Sequence, residues 1–257
     1  MKGEPYIIVI VLGILVCFIT LYVFKMNQPP TIDTIWVINL DKDKERLETM
    51  KKQQDHFPVQ FQRWPAAYGK EEERNHISLN DGVMSILSRS GNPEENKKSN
   101  KVLSRAGEIG CWLSHKRLLK HLDAGSYPPD FGHLICEDDI VVPEDFTYRW
   151  NAVRQYIPTN WDILYLGAGN IYGTRLNDKV IRWKNDIPGK NKNYGTYAYI
   201  VRHRSIKQIL KGLKYMNSPI DVQYYLMLGD LNIYIADPVL IKPSEETASS
   251  IDEQESR

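Results

Sequence analysis

Three consecutive carboxylates, Glu137, Asp138 and Asp139, close a short apolar run that begins at His133 and resumes at Ile140. An apolar run bounded in this way reads as a buried strand. In an open α/β sheet, ligands gather just beyond the carboxyl ends of the strands. Carboxylates at such a place suit a hard divalent cation, which can in turn hold a diphosphate. Alternation along an extended segment sends Glu137 and Asp139 to one side and Asp138 to the other. The plain alternative is an acidic turn that binds nothing.

A second group lies in the stretch GEIGCWLSH, Gly107 to His115. Ser104 to about Ala124 reads as a helix, with Cys111, His115, Leu118 and Leu122 at the i, i+4, i+7, i+11 spacing of one buried face. Glu108 extends that face toward the helix start. His115 alone reads first as a satisfied core histidine. No third ligand accompanies His115 and Glu108 in the sequence, so the spacing is not read as a metal site. A third group, Tyr194 to Val201, places Gly195 and Thr196 at a strand entrance, where a ligand can approach the backbone closely. The basic stretch from Lys184 to Asn193 before it reads as a solvated loop, with closure over a diphosphate as the alternative. In Ser218-Pro-Ile-Asp221 a serine and an acid three residues on resemble a capping box, and the acid is equally a candidate functional carboxylate.

These groups need a scaffold to bring them together. Thr34 to Asn39 and Val59 to Trp64 read as strands around a charged surface helix from Asp41 to about Gln54, a β-α-β opening that favours a nucleotide-binding sheet. Further strands are expected at Phe131–Cys136, Asp162–Leu166, Val180–Trp183, Thr196–Val201 and Asn232–Ala236. Helices are expected from Ser205 to about Met216 and from Pro219, where proline suits a first turn. Gly91 to Lys101 reads as a polar loop, and Ser244 to Arg257 as a polar, disordered tail.

Ahead of this unit, Tyr6 to Phe24 is an apolar stretch of 19 residues, relieved only by Gly13 and Thr20. As a helix it would reach about 28 Å, close to the hydrocarbon thickness of a bilayer. A cleaved signal peptide would have a shorter apolar region and a small-residue cleavage site. Lys25-Met-Asn-Gln-Pro-Pro30 follows instead, so a retained single-pass anchor is the expectation, of type II, in an ER/Golgi-type or other host membrane. Lys2 and Lys25 flank the stretch evenly and give no orientation bias. No Asn-x-Ser/Thr sequon marks a lumenal face. The division expected is therefore an anchor and linker over 1–30, one domain over 31–243 and a tail over 244–257. A formal net charge of +1 on 257 residues argues against a nucleic-acid partner held by a broad basic surface. Of three cysteines, Cys17 falls in the apolar stretch. Cys111 and Cys136 have no zinc or redox spacing and are expected as buried thiols ahead of a disulfide.

Taken in order, the chain resembles glycosyltransferase family 25, the group of lipooligosaccharide and collagen galactosyltransferases. The resemblance runs from about Thr34 to Pro243. It rests on Val37-Ile-Asn-Leu-Asp41 with Arg46, Ala66-Ala67, GEIGCWLSH at 107–115, EDD at 137–139, WDILYLG at 161–167, GTYAY at 195–199 and Pro219-Ile-Asp221. Cys136 departs from the pattern, standing where an aliphatic residue is usual. Collagen-modifying members are much longer, which puts a collagen substrate in doubt.

The resemblance implies an α/β, GT-A-type mixed sheet flanked by helices, and inverting transfer of a hexose from a nucleotide sugar, commonly UDP-galactose. It implies Mn²⁺ or Mg²⁺ on Asp139 and Glu137. Donor contacts are then expected from Asn39, Leu40, Asp41, Arg46, Ala67, Glu137, Asp138, Gly195 and Thr196. Glu108, Ser114 and His115 shape the pocket, and Asp221 is the candidate general base toward the hydroxyl of a glycan or protein acceptor. Two competing readings follow from the same residues. A catalytically inactive binding member should have lost the triplet. A metal-dependent phosphodiesterase should gather more histidines than these scattered six.

Overall fold

A computed structural model describes residues 12–17, 28–74, 106–169, 171–184, 193, 195–216 and 218–244. Strand β1 (Thr34–Asn39) alternates Ile35 and Val37 with Trp36 and Ile38, so bulky side chains leave both faces. A turn closed by Asp43 N–H on Leu40 C=O leads into helix α1 (Lys44–Lys52), which buries Met50 against the sheet. Strand β2 (Phe61–Pro65) follows, then the short helix α2 (Gly69–Arg74) and the long helix α3 (Ala106–Ala124). Next come β3 (Gly132–Glu137), β4 (Ile140–Val141), α4 (Phe146–Arg154) and β5 (Ile163–Gly167). After β6 (Thr174–Arg175), β7 (Val180–Arg182) and β8 (Ala198–Arg202), the chain forms α5 (Ile206–Gly212) and α6 (Ile220–Leu226). It ends in β9 (Ile233–Ala236) and β10 (Lys242–Pro243).

Eight strands make one mixed sheet in the order β2-β1-β3-β8-β5-β9-β7-β6. β2, β1 and β3 run parallel, and β8 lies antiparallel between β3 and β5. Period-two alternation divides the core into two layers. Trp36, Ile38, Ile135, Tyr165, Tyr199 and Ile235 face α3, α5 and α6, while Ile35, Val37, Leu134, Leu164, Ile200 and Phe146 pack on the other side. Each fully buried side chain of this size is worth roughly 1.5–3 kcal/mol relative to exposure. Trp112 of α3 donates from Nε1 to Gln223 of α6 (2.7 Å), and the Gln223 amide donates in turn to the Gly212 and Tyr215 carbonyls. That buried chain fixes α6 against α3, and with it the position of Asp221.

The expected elements form with small changes at their ends. β2 begins at Phe61 rather than Val59, since Gln54 takes the Phe61 N–H and turns Val59 outward. The helix expected from Ser205 starts as a 3₁₀ turn (His203–Ser205), and α5 stops at Gly212, which packs directly against Met227. Cys111 and Cys136 are free thiols. Of Tyr6–Phe24, only residues 12–17 are described, and they are helical. The rest of that stretch lies outside the described residues, as do the loop at 91–101, the basic loop between Lys184 and Asn193, and the tail after Ser244. Among the described residues no helix is long and apolar enough to cross a membrane.

Candidate active site

The acidic triplet lies at the carboxyl end of β3, beside the carboxyl end of the parallel β1. Asp138 turns toward β1 and α1. Its carboxylate accepts from the Asn39 amide (2.6 Å) and from Arg46 Nη1 (3.1 Å). Asn39 is itself buried and held by two more bonds, donating to the Asp43 carbonyl and accepting from Arg63 Nε. Glu137 turns the opposite way, accepting from the Thr196 hydroxyl (2.5 Å) and lying 3.5 Å from His115 Nε2. Asp139 sits 3.8 Å from Arg46, and its Oδ1 is buried with no hydrogen-bond partner.

Electrostatics mark this triplet as an anionic site short of positive charge. Burial, with Glu137 and Asp138 alongside, pushes the Asp139 carboxyl up to about 7 against the pull of Arg46. Burial also raises Asp138, outweighing Asn39 and Arg46. Glu137 goes the other way, because His115, the Thr196 hydroxyl and Arg46 together outweigh its burial and hold it low. An orphaned carboxylate oxygen amid like charges is the environment a divalent cation relieves, and oxygen donors suit Mn²⁺ or Mg²⁺.

Two clefts meet at the triplet. One, of about 90 Å³, lies between the β1 end and the start of α3, lined by Leu40, Arg46, Ala67, Ser114, His115 and the three acids. Gly110 lets the 67–69 segment pack closely on α3 at one wall of this cleft. A Cβ there would stand 2.6 Å from the Ala67 carbonyl oxygen and 2.9 Å from the Gly69 nitrogen. Ser114 pins the same segment, accepting from the Ala67 N–H (2.8 Å) while donating to the Gly110 carbonyl. The second cleft, of about 530 Å³, is lined by Glu108, Cys111, Glu137, Asp139, Thr196 and Asp221 among others. Gly195, at φ +84°, occupies left-handed backbone where a side chain would be strained. Its N–H donates to Asp221 Oδ2 (2.9 Å), and the Val222 N–H donates to Oδ1 (2.7 Å). Burial raises the Asp221 carboxyl above its usual range, and those two bonds only partly offset it.

Most of the residues read from the sequence therefore converge. Asn39, Leu40, Arg46, Ala67, Ser114, His115 and the triplet surround the first cleft or support its walls, and Glu108, Gly195, Thr196 and Asp221 the second. Asp41 stands apart, exposed and paired with Arg63 outside both clefts. The capping box does not form. Ser218 Oγ is buried without a partner, and Asp221 instead accepts from the first-turn Val222 N–H and from Gly195. His115 is buried as a core histidine is, with Nδ1 bonded to the Tyr199 hydroxyl, but its Nε2 has no hydrogen-bond partner. Cys111 Sγ, a ring nitrogen of His115 and a carboxylate oxygen of Glu137 lie within 4.8 Å of one another. The third member comes from β3, so α3 alone could not reveal it. Pro243 and Ser244 also line the second cleft, brought there by β10 pairing with β4.

Comparison with known proteins gives the family of the chain. The family profile for glycosyltransferase family 25 (LPS biosynthesis protein) matches residues 32–224. Procollagen galactosyltransferase 1-A of Xenopus laevis is 24% identical over 242 residues, covering 87% of this chain and 38% of the relative. A glycosyltransferase 25 family member of Drosophila melanogaster is 25% identical over 210 residues, covering 77% of this chain and 31% of the relative. Procollagen lysyl hydroxylase and glycosyltransferase of Acanthamoeba polyphaga mimivirus is 26% identical over 135 residues, half of this chain and 14% of the relative. The chain thus spans well under half the length of each of these relatives.

Proposed function

The chain belongs to glycosyltransferase family 25, and from that premise we propose that it is a glycosyltransferase that moves galactose from UDP-galactose to a hydroxyl of a glycan or protein acceptor. The observation that carries this reading is the placement of Glu137 and Asp139 on the boundary of two adjoining clefts, with Asp221 on the wall of the larger. In this reading the nucleotide occupies the cleft between Leu40, Arg46 and Ala67, and the sugar and acceptor meet in the one beside Asp221. The sheet is of the GT-A type, and the segment Tyr6–Phe24 tethers the enzyme to a membrane as a type II anchor. The galactosyltransferase names of the relatives support the choice of sugar.

Asp139 and Glu137 would hold Mn²⁺ or Mg²⁺, whose chemistry is to offset the charge gathering on a departing diphosphate. The remaining work falls to the protein. Arg46 and Asn39 hold Asp138 in place, so that the triplet keeps its shape without a ligand. The Gly195 and Val222 N–H groups aim the Asp221 carboxylate into the larger cleft. Burial makes that carboxylate more basic than a solvated one, as a general base for an inverting displacement requires.

The test is transfer from UDP-galactose to a panel of glycan and peptide acceptors, with manganese or with chelator. Turnover should require the divalent cation and should be lost in Asp139→Asn. The metal-free variant should melt no lower than the parent, since it removes a charge from among charges. Full turnover in chelator, or an unimpaired Asp139→Asn enzyme, would overturn the metal assignment.

A further inference from the structure

Cys111, His115 and Glu137 meet at the junction of the two clefts, and neither Cys111 nor His115 has a task in the transfer just described. His115 is fully buried, with its ring stacked on Tyr199. Nδ1 is engaged by the Tyr199 hydroxyl (2.8 Å), which is bonded in turn to the Tyr224 hydroxyl (3.0 Å). Nε2 makes no hydrogen bond and points toward Glu137 Oε1, 3.5 Å away. A buried imidazole held through one nitrogen by an outer partner, with the other nitrogen aimed at an anion, is the arrangement of a metal-ligating histidine. Cys111, one helical turn earlier on α3, adds a sulfur donor.

We propose that Cys111, His115 and Glu137 form a second cation site, for a thiophilic ion of the zinc class, distinct from the oxygen site on Asp139. One sulfur, one nitrogen and one carboxylate oxygen with an open fourth position match zinc rather than manganese or magnesium. Tetrahedral zinc with bonds of 2.0–2.3 Å needs its ligand atoms about 3.5 Å apart. The ligand atoms lie within 4.8 Å of one another, so binding would draw the Cys111 and Glu137 side chains inward. On binding, the Cys111 thiol gives its proton to solvent and the thiolate joins the metal. Glu137 is shared with the proposed donor-cation site, so zinc here competes with manganese for that carboxylate and acts as an inhibitor.

The experiment uses the reduced full-length chain and cobalt(II) as a coloured substitute for zinc. A near-ultraviolet charge-transfer band, diagnostic of a thiolate–cobalt bond, is expected, bleached by added zinc. Cys111→Ser should lose the band, and Cys17→Ser and Cys136→Ser should keep it. Tyr199→Phe, which takes away the outer partner of His115, should weaken cobalt binding at least about tenfold. In transfer assays with manganese in excess, the zinc concentration for half inhibition should rise at least about tenfold in Cys111→Ser, relative to that variant's own zinc-free rate. No band in the parent, a band that survives Cys111→Ser, or equal zinc sensitivity of parent and variant would each overturn the site. The optical readout needs no substrate, so it stands even where the assignment of donor and acceptor fails.

Discussion

Asp221→Asn separates a chemical role from a structural one, and the structure sets the size of each. Both carboxylate oxygens accept a backbone N–H, from Gly195 at 2.9 Å and from Val222 at 2.7 Å. An amide offers one oxygen, so one of these donors must face the new NH₂ group. Losing a hydrogen bond from a buried donor to a charged acceptor costs about 1–3 kcal/mol. For a domain of this size that lowers Tm by roughly 2–4 °C per kcal/mol. The variant is therefore expected to be folded but less stable, and Gly195, already in left-handed backbone, is where the loosening starts. Turnover per folded molecule should fall by about 10²–10⁴, the usual contribution of a positioned base. Circular dichroism gives the folded fraction, and initial rates at saturating donor give the turnover. The pH profile adds an independent reading. A base works ionised, and burial raises this carboxyl, so the parent should lose activity on the acid side at a higher pH than a solvated carboxylate would dictate. That limb should vanish from the residual activity of the variant. Turnover within tenfold of the parent, in a variant that melts several degrees lower, would refute the base and leave Asp221 as a clamp on the 195 turn. Glu108, on the same cleft, would be tested next.

Three more outcomes follow from other parts of the fold. His133 is buried between Thr34, 2.8 Å from Nδ1, and His203, 3.2 Å from Nε2, and burial with that neighbouring histidine lowers its pKa from 6.5 to about 4. The unfolded chain takes up this proton near pH 6.5 and the folded chain only near 4, so stability is full above pH 6.5 and declines by about 3 kcal/mol as pH falls between those values. Urea midpoints across that range should show the decline, and His133→Gln should flatten it; an equally steep variant would remove His133 as the cause. Gly110→Ala should cost about 1–3 kcal/mol through overpacking against the Ala67 and Gly69 backbone and should raise the donor KM more than it lowers kcat, as thermal melts and steady-state kinetics will show. Removing residues 1–27 stops short of the buried Pro30, so the remaining protein should float free of vesicles and keep its activity on a soluble acceptor; a truncated chain that still sediments with vesicles would assign membrane binding to the domain itself.

How much of this was legible in the sequence depends on the range of the signal. A short apolar run is a local signal, and it placed β1, β3, β5, β8 and β9 within a residue or two because both faces of these strands are covered by apolar layers. The helical face from Cys111 to Leu122 was equally plain, since a 3.6-residue repeat needs no partner to be seen. Endings were harder. Where α5 stops is decided by the contact of Gly212 with Met227, fifteen positions away, and where β2 starts by the Gln54 side chain reaching the Phe61 N–H. The same distinction runs through the site. Asn39, Arg46 and Asp138 were each nameable, but their mutual bonds depend on β1 and β3 lying parallel and adjacent, with Asn39 and Asp138 99 positions apart. The serine–aspartate spacing at 218–221 misled as a capping signal, because Gly195 competes for the Asp221 carboxylate and no local pattern records a competitor 26 residues away. His115 shows the limit most clearly. Read along α3 it has two polar neighbours and no ligand set, whereas in the fold β3 supplies Glu137 and β8 supplies Tyr199, one on each ring nitrogen. A histidine whose two nitrogens face groups from two neighbouring strands carries no sequence spacing of its own, so its chemistry becomes visible only when the sheet is formed.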